Sequence, residues 1–267
     1  MKITKKQILA QQKPVIDKQD LDKIIDYHSD ERSIVEALNV SKTFGFGSKQ
    51  KKVLDNLNFS IFENDRIAIV GANGSGKTTL LEMLSTISKV SSGKILYKFD
   101  YKKTPLEKIG IQFQAFEFPI GFTVKDLIEF IYNIKKVKIT QEHLQEMIII
   151  LGLESELNKI ARKLSGGQQQ RLNLLLALMG KPSILFLDEL TNGLDLPTQK
   201  IIVEYFLKLV NIDKITIVMV SHNSDEIEAI ANRIILLDNK NIVVDTTVEN
   251  IKKKFKTIDN FFEKYVR

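Results

Sequence analysis

The stretch that most constrains this chain is Gly71-Ala72-Asn73-Gly74-Ser75-Gly76-Lys77-Thr78, which follows the apolar run Ile67-Ala68-Ile69-Val70 and precedes Thr79-Leu80-Leu81-Glu82-Met83-Leu84. An apolar run, a glycine-rich bend and a helix-forming run in that order predict a strand, a loop and a helix. The G-x-x-x-x-G-K-T spacing also carries chemistry. A triphosphate needs several N–H donors converging on its oxygens, glycines let the backbone curl that closely, and the helix turns its positive N-terminus inward. On this reading Gly71, Asn73, Gly74, Ser75 and Gly76 form the cradle, with Thr79 grouped beside them. Lys77 meets the β- and γ-phosphates and the Thr78 hydroxyl reaches Mg²⁺. The competing reading is a glycine-rich turn with no ligand, and the strand before and helix after favour the phosphate loop.

A length of 267 residues suits one large α/β domain or a domain with a subdomain. No apolar stretch approaches the roughly 18–20 residues that span a bilayer, so a soluble, cytoplasmic chain is expected. Cysteine is absent, which excludes disulfides and thiolate metal sites. The net charge of +6 is spread among interspersed charges of both signs, which reads as a solvated surface with no nucleic-acid partner. The cluster Lys252, Lys253, Lys254 and Lys256 is the exception.

Residues 1–32 are polar, with Leu21, Ile24, Ile25 and His28 at helical spacing, and predict an N-terminal extension carrying a short, loosely docked amphipathic helix. His28 has no companion ligand nearby and reads as a surface residue. Runs over 35–40 and 53–62 read as an antiparallel pair. Residues 115–163 predict an inserted helical subdomain, with one helix capped by Thr123 and a second capped by Thr140 and closed by Gly152. Strand signals return at 183–189 and 215–222, separated by a helix over 197–209. That rhythm implies a mostly parallel sheet with crossover helices.

Ligands of such a sheet collect at the carboxyl ends of the strands. Asp188 can hold the Mg²⁺ of a nucleotide and Glu189 can polarise water, although adjacent carboxylates also mark solvated turns. His222 can contact a γ-phosphate or order water, and Gln114 can touch both water and metal. Leu164-Ser165-Gly166-Gly167-Gln168 opens a further helix and forms a second anion site. One chain binding one triphosphate needs only one such site, so the second is expected to face the nucleotide of another copy. Phe44, upstream of the phosphate loop, could stack on adenine or fill the core.

Taken in order, these motifs resemble the ATP-binding subunit of ABC transporters over about residues 34–250. The Leu-Ser-Gly-Gly-Gln signature downstream of the phosphate loop is the most specific of them. The resemblance implies an ABC ATPase fold: a P-loop NTPase core of mostly parallel strands, an antiparallel β subdomain and an inserted helical subdomain. It implies Phe44 on adenine, a Q-loop at Gln114, Ser165, Gly166, Gly167 and Gln168 toward the nucleotide across a dimer, and Asp195 of the Gly193-Leu194-Asp195 loop coupling the two sites. It also implies ATP and Mg²⁺ as ligands, and a second ATPase subunit, identical or not, as partner. A separate membrane permease would hold the chain at the inner face of the membrane. Phe116, Phe118, Pro119 and Phe122 lie where the family receives its permease, but could equally fill the subdomain core. Passages at 109–114 and 193–197 look similar to ATPases of ABC-2-type exporters. A soluble ABC ATPase of iron–sulfur assembly is the alternative. One departure is Glu189-Leu190-Thr191-Asn192, where the family usually carries Glu-Pro-Thr-Ser; it removes no catalytic group.

Overall fold

A computed structural model describes residues 24–113, 117–135, 139–191 and 194–266; Leu21, Gln114, Phe116 and Gly193 lie outside the described residues. In chain order the strands are β1 (Ser33–Phe44), β2 (Lys51–Phe62), β3 (Arg66–Val70), β4 (Ser92–Tyr97), β5 (Ile109–Gln112), β6 (Ile184–Asp188), β7 (Thr216–Val220), β8 (Arg233–Asp238) and β9 (Asn241–Thr247). The helices are α1 (Lys77–Leu84), α2 (Val124–Lys135), α3 (Gln141–Ile150), α4 (Gly166–Leu178), α5 (Leu196–Asp213), α6 (Ser224–Ile230), α7 (Val248–Phe255) and α8 (Ile258–Tyr265).

Two sheets result. β2-β1-β4 is antiparallel, and the second sheet runs β5-β6-β7-β3-β8-β9, parallel except for the antiparallel edge β9. The uninterrupted apolar runs of the central strands follow from burial on both faces. Ile67, Ile69, Phe186, Val218 and Val220 meet Leu80, Leu81 and Leu84 of α1 and the antiparallel sheet. The alternate residues Ala68, Val70, Leu185, Leu187, Ile217 and Met219 meet α4 and the helical layer. Each fully buried Leu, Ile or Phe contributes about 1.5–3 kcal/mol, so the sheet is a rigid platform for the loops at its carboxyl edge. The expected P-loop architecture with antiparallel and helical subdomains is present.

In the helical subdomain Thr123 Oγ1 accepts from the Asp126 N–H at 3.1 Å while Asp126 accepts from the Thr123 N–H at 2.8 Å. Thr140 accepts from the His143 N–H at 3.2 Å, and Gly152 closes α3 at φ 58°. Both predicted caps are used.

The N-terminal extension differs from expectation. Residues 24–28 are extended, not helical: Ile24 is 4% exposed, Ile25 is 52% exposed, and Ile25 bridges Asp245 of β9. The Asp26 and Tyr27 N–H groups both donate to Asp245 O, at 3.3 and 3.2 Å. The open edge of β9 offers unpaired backbone groups, and that outweighs the weak local helical spacing. Nor is the segment loosely held. Arg233, 2% exposed, pairs with Asp65 at 2.8 Å and Asp245 at 2.7 Å, and its guanidinium lies 3.9 Å from the centre of the Tyr27 ring. The Tyr27 hydroxyl donates to Asp65 at 2.5 Å. His28 is exposed, as expected.

The lysine cluster lies in the C-terminal segment. This segment folds as α7 and α8, which bury Ile251, Ile258, Phe261, Phe262 and Tyr265 in the helical-side core. Lys252 pairs with Glu228 at 2.6 Å and Lys253 with Glu249 at 2.7 Å.

Candidate active site

The phosphate loop leaves β3 and enters α1. Gly71 has φ 148°, and a Cβ there would stand 2.4 Å from Leu237 O; Gly76, the N-cap of α1, has φ 105°, and a Cβ there would stand 2.8 Å from Leu54 Cδ2. The loop passes too close to β8 and β2 for any side chain at those two points. Asn73 and Gly74 are exposed at its tip, and Thr79 is half-buried in the first turn of α1. The Ser75 hydroxyl is buried without a hydrogen-bond partner, 2.8 Å from where a Gly71 Cβ would stand, a polar atom that a ligand oxygen suits. Lys77 is buried, and its Nζ donates to Gly71 O at 2.9 Å and Ala72 O at 3.1 Å. Desolvation lowers its pKa, opposed by the Asp188 and Glu189 carboxylates.

Adjacent strands of the parallel sheet bring the remaining chemistry to this loop. Thr78 Oγ1 donates to Asp188 Oδ2 at 3.1 Å, joining the start of α1 to the end of β6. Burial raises the Asp188 pKa, against the Thr78 hydrogen bond. A hydroxyl and a carboxylate are hard oxygen donors suited to Mg²⁺, which keeps most of its shell as water and substrate phosphate. Among the described residues no cluster of three or more His, Cys, Asp or Glu is placed to hold a metal ion. Glu189 follows at φ 55°, its N–H donating to Val220 O at 2.9 Å. His222 ends the next strand and is exposed; partial desolvation and the Lys77 ammonium lower its pKa, leaving a neutral imidazole at pH 7. Gln114 lies outside the described residues, two positions beyond the end of β5, the neighbour of β6.

Phe44 is 45% exposed at the end of β1, so the core reading is excluded, and Lys42 Nζ lies 4.9 Å from its ring centre. Its strand is the antiparallel partner of β2, whose Leu54 packs under Gly76. At the signature, Ser165 accepts from the Gln168 N–H at 3.3 Å and Gln168 Oε1 accepts from the Ser165 N–H at 2.9 Å. This capping box leaves Ser165 and Gly166 exposed, with nothing within 4 Å of a Cβ at Gly166. The N-terminus of α4 is therefore open to solvent. Asp195 caps α5 through Thr198, at 2.9 Å to its N–H and 2.9 Å to its hydroxyl, so its carboxylate already has a local task.

The aromatic cluster after Gln114 is divided. Phe118 is 2% exposed and belongs to the subdomain core, whereas Phe122 is 38% exposed against Phe130. Together with exposed Ile120, Phe130 and Ile134 it makes an apolar surface on the subdomain.

Two groups escape a reading by motif. Glu226, buried, accepts from the Ser221 hydroxyl, and burial pushes its carboxyl up to about 7. Gln170 reaches the backbone of Glu189 and Leu190, at 2.8 Å to each. The only signal for either is position: an acid four residues after His222, and an amide two residues after Gln168.

A phosphate-binding loop between a parallel strand and a helix, with a carboxylate pair closing another strand of the same parallel sheet, defines a P-loop nucleoside triphosphatase. The family model for ABC transporters matches residues 54–192, just over half of the sequence. The chain belongs to the ABC transporter family and is an ATP-binding, ATP-hydrolysing cassette of that type. It is 33% identical over 219 residues to the methionine import ATP-binding protein MetN of Clostridium tetani, covering 78% of this chain and 68% of that one. It is 30% identical over 232 residues to the macrolide export ATP-binding/permease protein MacB of Pasteurella multocida, covering 82% of this chain and only 35% of that protein. Among solved structures, the dimeric ATP-binding cassette MJ0796 in a post-hydrolysis state bound to ADP and Pi superposes with a TM-score of 0.71 at 29% identity, covering 80% of this chain and 98% of that one. Among the described residues no helix is long and apolar enough to cross a membrane.

Proposed function

We propose that two copies of this cassette, or this cassette and a similar one, close around two ATP molecules and so drive a separate membrane permease. The observation that carries the reading is the open N-terminus of α4: Ser165 and Gly166 are exposed on a chain that already holds a complete phosphate loop of its own. A helix N-terminus of this kind binds an anion, and the facing subunit's γ-phosphate is the anion that closure delivers. ATP then binds the closed pair better than the open one, which shifts the population of whatever is attached. The MJ0796 cassette is itself a dimer with ADP and Pi bound, which supports this arrangement.

Within each site Phe44 stacks on adenine, the loop N–H groups and Lys77 hold the phosphates, and Thr78 and Asp188 would hold Mg²⁺. The metal, when bound with the nucleotide, neutralises charge on the phosphate oxygens. Glu189 takes the proton of the attacking water as general base, and the neutral His222 imidazole donates toward the γ-phosphate. Gln114, two residues beyond Gln112 in the sequence, orients the same water. Asp195, fixed as the cap of α5, stands at the subunit boundary.

The apolar surface of Ile120, Phe122, Phe130 and Ile134 is the docking face for the permease. It is tied to the signature: the Ala161 N–H donates to Phe122 O at 2.9 Å and the Lys125 N–H to Leu157 O at 2.9 Å, just upstream of Ser165. MetN is named for import and MacB for export, so matching cassettes serve both directions and the permease selects between them. Export, favoured by the ABC-2-like passages, is tested by the orientation of uptake in vesicles carrying the co-purified permease.

The decisive test is Glu189→Gln. Loss of a positioned base lowers kcat by at least about 10²-fold, while binding persists and an ATP-dependent dimer accumulates on size exclusion. Undiminished turnover, or a monomer at saturating ATP, would refute the reading.

A further inference from the structure

One helix carries the signature and also touches the segment of Glu189 and the strand end that precedes Gln114. At its N-terminus α4 carries the signature residues Ser165 and Gly166. One turn further on, Gln170 Nε2 donates to Glu189 O at 2.8 Å and to Leu190 O at 2.8 Å, spending both of its hydrogens on consecutive carbonyls. Three residues later Asn173 Nδ2 donates to Phe113 O at 3.1 Å, the carbonyl adjoining Gln114. The subdomain is joined to the same helix where Arg171 donates to Leu151 O at 2.9 Å.

The Gln170 contact is the consequential one, because of what it holds. Glu189 sits at φ 55°, a left-handed conformation that a non-glycine residue keeps only when its surroundings impose it. Its N–H is fixed from β7 by Val220 O, at 2.9 Å, and its carbonyl is fixed from α4 by Gln170. The peptide planes on either side of the Glu189 Cα are therefore clamped by different elements, and the direction of its side chain follows from both. Leu190, 1% exposed, anchors the next residue in the helical-side core.

We infer that Gln170 is a positioning residue: it holds the backbone of Glu189 so that the carboxylate points at the reacting phosphate, and it makes that aim depend on the placement of the signature helix. This rests on the assignment of Glu189 as the base. Its consequence is that contact between the exposed end of α4 and a facing subunit's triphosphate adjusts the catalytic carboxylate of its own subunit. About 7.5 Å of helix separates Ser165 from Gln170, at about 1.5 Å per residue, short enough for the two to move as one body.

The test is steady-state ATP hydrolysis by the full chain carrying Gln170→Met or Gln170→Glu. Both keep the side-chain length and remove the donor; the pair guards against one of them failing to fold. A misplacement of about 1 Å costs up to about 10²-fold in rate, so kcat is expected to fall between tenfold and a hundredfold while KM for MgATP stays within about twofold. In a Glu189→Gln background Gln170→Met is expected to cause no further loss, because the group it aims is gone. A rise in KM with unchanged kcat, or a full additional loss in the Glu189→Gln background, overturns the inference. A slow Glu189→Gln enzyme beside a normal Gln170→Met enzyme overturns this inference alone. Undiminished turnover in Glu189→Gln overturns the assignment of the base and this inference with it.

Discussion

Replacing Glu226 with Gln should make the protein more stable at alkaline pH and leave it nearly unchanged in acid. The carboxyl is 4% exposed, one oxygen accepts from the Ser221 hydroxyl, and Oε1 has no hydrogen-bond partner. Burial first of all, and repulsion from Glu189, raise its pKa from 4.5 to about 7, against the Ser221 hydrogen bond. At about 1.4 kcal/mol per pH unit, ionising this buried acid costs the folded state about 3 kcal/mol more than the unfolded chain. Between pH 4.5 and 7 the folded protein keeps a proton that the unfolded chain has released. The unfolded state binds fewer protons there, so stability falls as pH rises through that window and levels off above it. A Gln side chain offers Ser221 the same acceptor oxygen and carries no charge. Wild type and Glu226→Gln should therefore differ by less than about 1 kcal/mol at pH 5 and by about 3 kcal/mol at pH 8. The alkaline difference corresponds to a Tm higher on the order of 5–10 °C for a chain of this size. Urea unfolding at the two pH values measures it, and the difference between the two proteins cancels every other titrating group. Parallel stability curves from pH 5 to 8 would refute the argument, because they would mean that Glu226 ionises in the folded protein as readily as in water.

Lys77→Ala removes a buried cation worth about 1.5–3 kcal/mol to a phosphate partner, so ATP affinity should fall at least tenfold in equilibrium titration; unchanged affinity would dismiss its role. A mixed dimer of Ser165→Arg with Lys77→Ala should retain one competent site, because signature and loop serve opposite nucleotides and both lesions then fall in the same site; loss of both sites in a single-turnover assay would contradict sharing. Arg233→Ala leaves Asp65, 2% exposed, buried without its cation, and should cost about 3–5 kcal/mol in urea unfolding. Adding Asp65→Asn should recover part of that loss, and a loss under about 1 kcal/mol would show that water reaches the pair.

Much of the site was legible because its chemistry demands contiguous residues. A phosphate cradle is built from one loop of backbone N–H groups, so Gly71 to Thr78 carry their meaning in adjacent letters. Asp188 and His222 were legible as the polar ends of apolar strands, and Thr123 and Thr140 as caps, since each of those signals lies within a few residues. The pairing of the extension is not legible, because Ile24 and Ile25 fit a helical spacing and nothing nearby announces that an open edge two hundred residues further on will bind them as extended chain. The same holds for Phe118 and Phe122: both are aromatic in an apolar segment, and only packing decides that one is 2% and the other 38% exposed.

The sequence by itself determined the class of the fold, the family and the identity of the groups that meet a nucleotide, because those depend on local backbone geometry and on residue type at fixed spacing. Only the tertiary structure decided which of those groups answer to one another. Gln170 grips the backbone of Glu189, Asn173 holds the Phe113 carbonyl, and Tyr27 covers Arg233. Each contact joins segments distant in the chain, and the energy that selects it arises only when packing brings them into a shared environment of low dielectric.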